Sequence, residues 1–521
     1  MMKRKFKVKK GVVWLCLLML SLGCEEYLED ELLSETSADF LYNTPQGLED
    51  AVVGLYNLDR KIYENNQLEN SAIPLIPQAK SDLVLGRAGH IAFFARLGWG
   101  IDQTSFGTRR LDQYWQHYYR LIDRANAVIQ SAENLESLEA ESKNQIIAEA
   151  KAFRANSYFT LYRQFNNIFI TTEPTTPDNA FDRPQDKSSE EDIFALINED
   201  LDFAIANLEW TTEEFGRWTQ AAVRHVKAKV AIWEEDFTGA ASQTDAIIDN
   251  GNYSLVPDTN TVFEGDMNHS ESLFVVQFAD AEVGGGDFTQ INFTLVPAYN
   301  RVPGAKLSID NGGRGNGGLL MNDYLRNLLK EDPNDDRDNG TYYITAYKYN
   351  DEANLPPGKQ VGDTIDLYDQ FSEDESERQN YYQTINPACI KFLQEDAAPT
   401  EVGHISNIMV YRLAETYLIG AEAHMMLSNT AKAIDYLNAV RTRANTAPVT
   451  SIDIQAILEE RARELAFEGQ RFYILKRLGL LVEYLRDHAG NDNFWNIARE
   501  RIEPYMVNWP IPTAEIELLG P

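Results

Sequence analysis

Two blocks of helical periodicity, one on each side of a loop-rich middle, constrain the fold of this chain more than any other feature. In the first block, LDQYWQHYYRLIDRANAVIQSAENL places Trp115, Ile122 and Ile129 on one stripe at helical spacing. The next segment, NQIIAEAKAFRANSYFTLYRQFNN, carries alanines among larger apolar residues. Small residues let two helices approach closely, so the pattern predicts antiparallel helix pairs.

Further helices are predicted on both sides of the middle. Thr44 is a good N-cap and Pro45 suits the first helical position, so a helix is predicted to begin there. Helical patterns also cover residues 189–208 and 218–237. After the middle, one stripe consists of Val410, Ala414, Tyr417, Leu418, Ala421 and Met425. Such pairs resemble tetratricopeptide repeats, although no strict period of about 34 residues is visible.

The middle of the chain has a different composition. Glycine, asparagine and aspartate become frequent, and SLFVVQF and TYYITAY are short β-like runs. We therefore expect a mainly α fold in one domain, residues 39–521, with a loop-rich region that contains short strands. Its expected parts are an N-terminal helical part (39–250), the loop-rich region (251–404) and a C-terminal helical part (405–521).

The N-terminus has the three parts of an export signal. Basic residues are followed by the apolar run GVVWLCLLMLSL and then by Gly23-Cys24, which resembles the lipobox of bacterial lipoproteins. The run is too short for a membrane-spanning helix, which needs about 20 residues. We expect residues 1–23 to be a lipoprotein signal peptide, Cys24 the lipidated residue and residues 24–38 an acidic tether. An uncleaved membrane anchor is the alternative.

Charge and cysteine content exclude several classes of function. The formal net charge is −33, which argues against nucleic-acid binding. The chain has 3 cysteines, one of them inside the apolar run, so a disulfide framework or a cysteine-based zinc site is not expected. The 7 histidines are scattered without metal-ligand spacing, and the common catalytic motifs are missing. No metal and no cofactor is therefore predicted.

Three local patterns resemble functional motifs but are interpreted as ordinary structural features. GRGNGG, residues 313–318, lacks the strand–helix–strand context of a dinucleotide site and is interpreted as a flexible loop. EDPNDDRDNG, residues 331–340, is interpreted as a solvated acidic turn, with a structural calcium site left open. In ILEERARELAFEGQRFYILKRLG, nearby arginines would hold the carboxylates ionised, so an ion-pair network is preferred to a glycosidase acid and nucleophile.

One segment has the character of a binding surface. Residues 81–107 show neither a helical nor a strand period of apolar residues. They are rich in glycine, and glycine-rich turns favour aromatic rings that face outward. Rings that stack on sugars beside groups that bond hydroxyls suit sugar recognition. The candidate ligand residues of this segment are Asp82, Phe93, Phe94, Arg96, Trp99 and Asp102. A second segment offers Phe288, Phe293 and Tyr299. The alternative is that these aromatic residues form a small core under a loop.

Motifs along nearly the whole chain resemble the SusD/RagB family of outer-membrane nutrient-binding lipoproteins. The resemblance rests on the lipobox, on QGLEDAVVGLYNLD, WQHYYRLIDRANAVI and AEAKAFRANSYFTLYRQFNN, and on ERARELAFEGQRFYILKRLG followed by PIPTAEIELLGP. The last two blocks are the most specific. Tyr473-Ile474 departs from the Asp-Leu that is common in this family, which concerns core contacts more than binding.

The resemblance implies a SusD-like fold with four tetratricopeptide-like helix pairs and a ligand site built from loops. It also implies a lipid-anchored, cell-surface position in the outer membrane and a partner, the SusC-like TonB-dependent transporter. The implied function is non-enzymatic: glycan is captured and delivered for import. A RagB-like peptide receptor is the first alternative, and a glycoside hydrolase is a weaker one.

Overall fold

The structure is a computed structural model, and it describes residues 38–64, 75–86, 108–180, 182, 187–279, 288–338, 340–365, 384–491, 497–512 and 515–516. The described part is mainly helical, as predicted. The helices before the loop-rich region are α1 (Ala38–Asn43), α2 (Pro45–Arg60), α3 (Ile76–Ala79), α4 (Thr108–Asn134), α5 (Ala140–Phe165), α6 (Glu190–Asn207), α7 (Gln220–Trp233) and α8 (Phe237–Asp249). Two short helices lie within that region, α9 (Ile291–Leu295) and α10 (Asp323–Lys330). After it come α11 (Leu413–Met426), α12 (Thr430–Arg443), α13 (Ile454–Leu465), α14 (Arg471–Arg477), α15 (Leu481–His488) and α16 (Ile497–Arg501).

Eight short strands form four two-stranded antiparallel sheets in the described residues. The pairs are β1 (Val84–Gly86) with β3 (Leu319–Met321), β2 (Ser272–Val276) with β8 (Ile408–Arg412), β4 (Tyr343–Ile344) with β7 (Ala388–Cys389), and β5 (Tyr347–Lys348) with β6 (Thr364–Ile365). The β-like runs SLFVVQF and TYYITAY contain β2 and β4, so both strand predictions are confirmed.

Helices α4 to α8, together with α11 and α12, form a continuous array. Helix α4 packs on α5, α5 on α6, α6 on α7 and α7 on α8, and α11 packs on α12. Helix α8 also packs directly on α11, although the loop-rich region separates them in sequence. The loop-rich region is therefore an insertion between two neighbouring members of the helical array.

Local sequence signals explain how the array forms. The Thr44 hydroxyl accepts a hydrogen bond from the Gly47 amide at 3.0 Å, so the predicted N-cap of α2 is confirmed. The alanines of α5 are completely buried, as close helix approach requires: Ala148, Ala150, Ala152 and Ala155. Helix α5 is consequently the central helix of the N-terminal part.

The sequence prediction is wrong at the start of the C-terminal helical part. Val410 lies in strand β8 and not on a helical stripe, and helix α11 begins at Leu413. The apolar run before Leu413 pairs with β2, where Ser272 lies opposite Arg412. Strand pairing satisfies the backbone hydrogen-bonding groups of this buried run and overrides the apparent helical period.

In the described residues no helix is long and apolar enough to cross a membrane.

An ion-pair network centred on α13 is confirmed, but its partners come from distant segments. Glu464 is completely buried and accepts from Arg412 at 2.6 Å, from Arg337 at 3.0 Å and from Arg443. Arg412 also bonds Glu271 at 2.9 Å, beside the β2–β8 pair. The linked ion pairs include seven acids and six bases, namely Glu271, Glu331, Asp335, Glu459, Glu460, Glu464, Glu468, Arg337, Lys391, Arg412, Arg441, Arg443 and Arg463.

Part of the acidic turn at residues 331–340 is buried in this network. Glu331, Pro333 and Asn334 are exposed, as a solvated turn predicts, but Asp335 and Arg337 are buried. Arg337 is completely buried and binds Asp335 at 2.7 Å and Glu460 at 2.6 Å. Asp332 accepts the Ala447 amide at 2.8 Å. Arg337 binds the Asp335 carboxylate and the Ala447 amide binds that of Asp332, so these oxygens are engaged within the protein and do not fit a calcium site. In the part of the chain that the structure describes, no cluster of three or more His, Cys, Asp or Glu could hold a metal ion.

Removing the charge of Glu464 tests the network. We expect Glu464→Gln to lower the free energy of unfolding by about 3–5 kcal/mol, because it leaves buried arginines without their shared carboxylate. Urea unfolding followed by tryptophan fluorescence measures the change. Glu459→Gln is the matched control, since Glu459 is 30% exposed and lies 3.7 Å from Arg463. Equal stability of the two variants would contradict the assignment.

The same network makes stability depend on pH. Burial alone would raise the pKa of Glu464, but Arg443, Arg412 and Arg337 outweigh burial and hold the pKa well below its usual value. A lowered pKa in the folded state stabilises the fold above the unfolded-state pKa, about 4.3, and this stabilisation is lost as the pH falls. The stability gap between wild type and Glu464→Gln should therefore narrow below about pH 4 in urea titrations. A gap that is constant from pH 7 to pH 3 would refute this pKa assignment.

Candidate ligand-binding face

The described structure fixes the start of the candidate segment 81–107. Asp82 is completely buried, and its two oxygens accept from Arg471 Nε at 2.8 Å and Nη2 at 2.6 Å. Burial opposes the charge on Arg471, but the paired Asp82 carboxylate outweighs it and raises the pKa of Arg471. Because both Asp82 oxygens are engaged inside the protein, we assign Asp82 to the core and not to ligand hydroxyls.

Asn322 joins the start of this segment to strand β3 and helix α15. Its side-chain amide donates to the carbonyls of Asp82 at 2.7 Å and His488 at 2.8 Å. The Asn322 backbone amide donates to the Leu83 carbonyl at 3.1 Å. Strand β1 then pairs with β3, with Gly86 opposite Leu319. The described start of the segment, up to Gly86, is therefore fixed by hydrogen bonds to β3 and to Asn322.

Most predicted ligand residues lie beyond this point. Phe93, Phe94, Arg96, Trp99 and Asp102 all lie in residues 87–107, outside the described residues. Their roles stay predictions.

The second predicted segment divides into an accessible part and a buried part. Phe293 is half-buried on α9. Tyr299 is completely buried, its hydroxyl donates to the Ser308 carbonyl at 3.0 Å, and its ring centre lies 5.4 Å from that of Tyr347. Tyr299 is therefore part of a second hydrophobic core, and in this position it has no free face for stacking on a ligand.

The Gly-rich loop 313–318 is tightly packed and not a flexible loop. The Asn316 amide donates to the Phe293 carbonyl at 2.8 Å, and the Gly317 amide donates to the Val296 carbonyl at 2.8 Å. A Cβ on Gly315 would lie 1.9 Å from the Val296 carbonyl oxygen, so no larger residue fits. Leu319, just after the loop, pairs with Gly86. The loop therefore brings α9 next to the point where the segment 87–107 begins.

A wide acidic groove adjoins the same face. Thr289 and His404 exchange backbone hydrogen bonds at 2.8 and 2.9 Å, which joins the α9 segment to the groove wall at Ile405. The groove has a volume of about 760 Å³. Its carboxylates are those of Glu264, Asp266, Glu395 and Asp396. Burial and the neighbouring Glu264 raise the pKa of Glu395.

Asn407 and Phe278 give the groove a fixed wall. The Asn407 side chain donates to the Asp266 carbonyl at 2.9 Å and accepts from the Phe278 amide at 2.7 Å. The Arg60 guanidinium lies 5.9 Å from the centre of the Phe278 ring. Acceptor oxygens beside an aromatic ring can bind a neutral, hydroxyl-rich ligand and disfavour an anionic one. Sequence reasoning missed this groove, because its carboxylates come from two segments more than 120 residues apart.

An interior cavity of about 100 Å³ lies beneath the face, with Ile291 of α9 in its wall. Its polar lining includes Asp59, whose pKa burial raises to about 7. Five tyrosines also line it: Tyr63, Tyr114, Tyr118, Tyr411 and Tyr473. These tyrosines come from four separate segments, so the sequence gives no signal that they meet around a cavity.

Gly315 tests the rigid arrangement of the face. We expect Gly315→Ala to lower the free energy of unfolding by about 1–3 kcal/mol, because the new methyl group overlaps the Val296 carbonyl. The control is Gly54→Ala in helix α2, where a Cβ meets nothing within 4 Å. That substitution should stabilise the protein by about 0.5–1 kcal/mol. Urea unfolding measures both, and an unchanged Gly315→Ala protein would show that the loop is loose.

Known proteins share this architecture. The model of the SusD family matches residues 231–520, and a model described as starch-binding and associating with the outer membrane matches residues 26–232. The SusD-like protein P25 of Formosa agariphila is 26% identical over 537 residues, which cover 98% of this chain and 97% of the relative.

Solved structures show the same fold. A SusD homologue from Bacteroides thetaiotaomicron has a TM-score of 0.72 at 18% identity, with 93% of this chain and 97% of that chain covered. A laminarin-binding SusD-like protein has a TM-score of 0.68 at 24% identity, with 91% and 98% covered. The family match covers more than half of the sequence, and this chain belongs to the SusD family.

Proposed function

We propose that this protein binds a neutral glycan at the cell surface and delivers it to a SusC-like TonB-dependent transporter. The observation that carries the proposal is the joined face made by the base of segment 81–107, the Gly-rich loop, α9 and the acidic groove. In the proposal, Trp99 and Phe94 supply stacking rings, and Phe93, Arg96 and Asp102 support them. Phe293 remains a candidate on the adjoining helix.

Family membership supports a glycan as the ligand. One of the two matching family models is described as starch-binding, and one structural relative is described as binding laminarin. The groove carboxylates support a neutral polymer over an anionic one, because like charges repel at short range. Membership and the Gly23-Cys24 motif together support a lipid anchor on Cys24 and a place on the outer membrane.

The Glu-rich helix α13 does not support a glycosidase. That reaction needs one carboxylic acid that stays protonated beside an ionised carboxylate. The surrounding arginines overcome burial and lower the pKa of both Glu460 and Glu464. Both side chains are also completely buried, so neither can reach a sugar.

Trp99→Ala is the direct test of the stacking role. We expect the dissociation constant for the best neutral glycan to rise about 5- to 150-fold, which corresponds to about 1–3 kcal/mol for a buried ring at a binding hot spot. Affinity electrophoresis against laminarin, starch and an anionic polysaccharide gives the ligand class, and calorimetry gives the constant.

The control is Trp210→Ala. Trp210 is half-buried between α6 and α7, and Arg224 lies 5.2 Å from its ring centre, so the substitution removes an indole from the helical array. Its affinity should equal that of the wild type. If Trp99→Ala binds as tightly as the control, the site assignment fails. Co-purification with mixed peptides and no retention by any polysaccharide would favour a peptide receptor.

A further inference from the structure

A small cavity lies where the N-terminal and C-terminal helical parts meet. Helices α5, α7, α11, α13 and α14 all contribute to its wall, and its volume is about 40 Å³. Trp233 and Arg477 are partly exposed, so this side of the cavity is close to solvent. The cavity is separate from the acidic groove and shares none of its lining residues.

The lining has an excess of positive charge. Four cations line the cavity against two carboxylates, an excess of two positive charges. The cations are Arg163, Lys229, Arg461 and Arg477, and the carboxylates are Glu415 and Glu422. Burial lowers the pKa of His225 behind Glu415, so this histidine adds no charge at neutral pH.

Both carboxylates already accept hydrogen bonds from neighbouring side chains. Glu415 accepts from Lys229 at 3.0 Å, from Arg461 at 3.1 Å and from His225 at 3.0 Å. Glu422 accepts from Arg477 Nη2 at 2.5 Å. Among the residues that the structure describes, Nε and Nη1 of both Arg461 and Arg477 have no hydrogen-bond acceptor. Spare guanidinium donors therefore remain beside the cavity.

Arg163 has no carboxylate partner within the described ranges. Its guanidinium lies between two rings, 4.1 Å from the centre of Phe159 and 4.0 Å from that of Tyr473. Its Nε donates to the Phe159 carbonyl at 3.3 Å. Buried cations are normally paired, because an unpaired charge loses its hydration without compensation. This arginine therefore lacks the counterion that its position demands.

The excess of positive charge also affects the pKa values of two cations in the lining. Burial first, and then Arg163 and Arg461, lower the pKa of Lys229 to about 8 despite its pairing with Glu415. Burial and the nearby Arg477 lower the pKa of Arg461. The ion-pair network around Glu464, with seven acids and six bases, contains no excess of positive charge.

We propose that this cavity binds one small inorganic oxyanion, of the size of phosphate or sulfate, between Arg163, Arg461 and Arg477. Lys229 adds positive charge, although its ammonium donors are already engaged by Glu415 and Gln470. Planar guanidinium groups bind tetrahedral and planar oxyanions with paired hydrogen bonds, which a spherical halide does not exploit. The bound anion joins α5 of the N-terminal part to α13 and α14 of the C-terminal part. It stabilises the helical array and is independent of the glycan site.

Equilibrium dialysis of the full chain with radiolabelled inorganic phosphate tests the proposal. We expect saturable binding of one phosphate per chain, displaced by sulfate and not by chloride at equal ionic strength. Arg477→Gln should weaken binding at least 10-fold. Glutamine keeps a side-chain amide that can donate to Glu422, the carboxylate that Arg477 binds, so this variant should fold, and circular dichroism checks that it does. The melting temperature should rise with phosphate in the wild type and much less in the variant.

Arg486→Gln is the matched control. Arg486 lies on the next helix and is 50% exposed. Its Nη2 donates to the Ile502 carbonyl at 3.2 Å and lies 3.9 Å from Glu503. This substitution removes the same charge at a position outside the cavity, so the variant should bind phosphate as tightly as the wild type. Non-saturable binding, or equal binding by Arg477→Gln and Arg486→Gln, would overturn the proposal.

Discussion

The buried carboxylate of Glu464 is the constraint on which the rest of the structure depends. A completely buried charge is tolerated only when partners surround it, and Arg337, Arg412 and Arg443 come from three different segments. The acidic turn, strand β8 and helix α12 must therefore all be in place before α13 can bury its acidic face. Since none of these partners is a helical neighbour of Glu464, the network specifies tertiary structure and contributes little to the local helix.

The same network positions the inserted loop-rich region. Arg412 ends strand β8, binds Glu271 just before β2, and so fixes the register of the β2–β8 pair against the helical array. Asp82 and Arg471 do the same for the start of segment 81–107. A ligand face built on loops can bind with defined geometry only if the loop bases are rigid. Buried ion pairs supply that rigidity at both bases.

Sequence reasoning identified what depends on local pattern and missed what depends on distant partners. The helix pairs, the Thr44 cap and the strands β2 and β4 follow from periodicity and capping chemistry, which short stretches contain. Asp82 and Tyr299 were predicted to be ligand residues, because the sequence does not show their hydrogen-bond partners. In the structure Asp82 binds Arg471, and the Tyr299 hydroxyl binds the Ser308 carbonyl. Val410 followed a helical period, but it lies in strand β8, and the strand that pairs with β8 lies more than 130 residues earlier. Arg337 looked like a residue of a solvated turn for the same reason.

The interior and the surface of the protein differ in net charge. In the described residues, eleven acidic and eleven basic side chains are buried, so the interior is neutral overall although it is positive around Arg163. The net charge of −33 therefore belongs to the remainder of the chain, chiefly its surface. Such a surface repels acidic polymers, but only within about 8 Å at physiological ionic strength. In the proposed function, selection between ligands therefore depends on contacts in the groove and on the loops, where we propose that the acceptor oxygens of Glu264 and Asp396 favour hydroxyl groups over further negative charge.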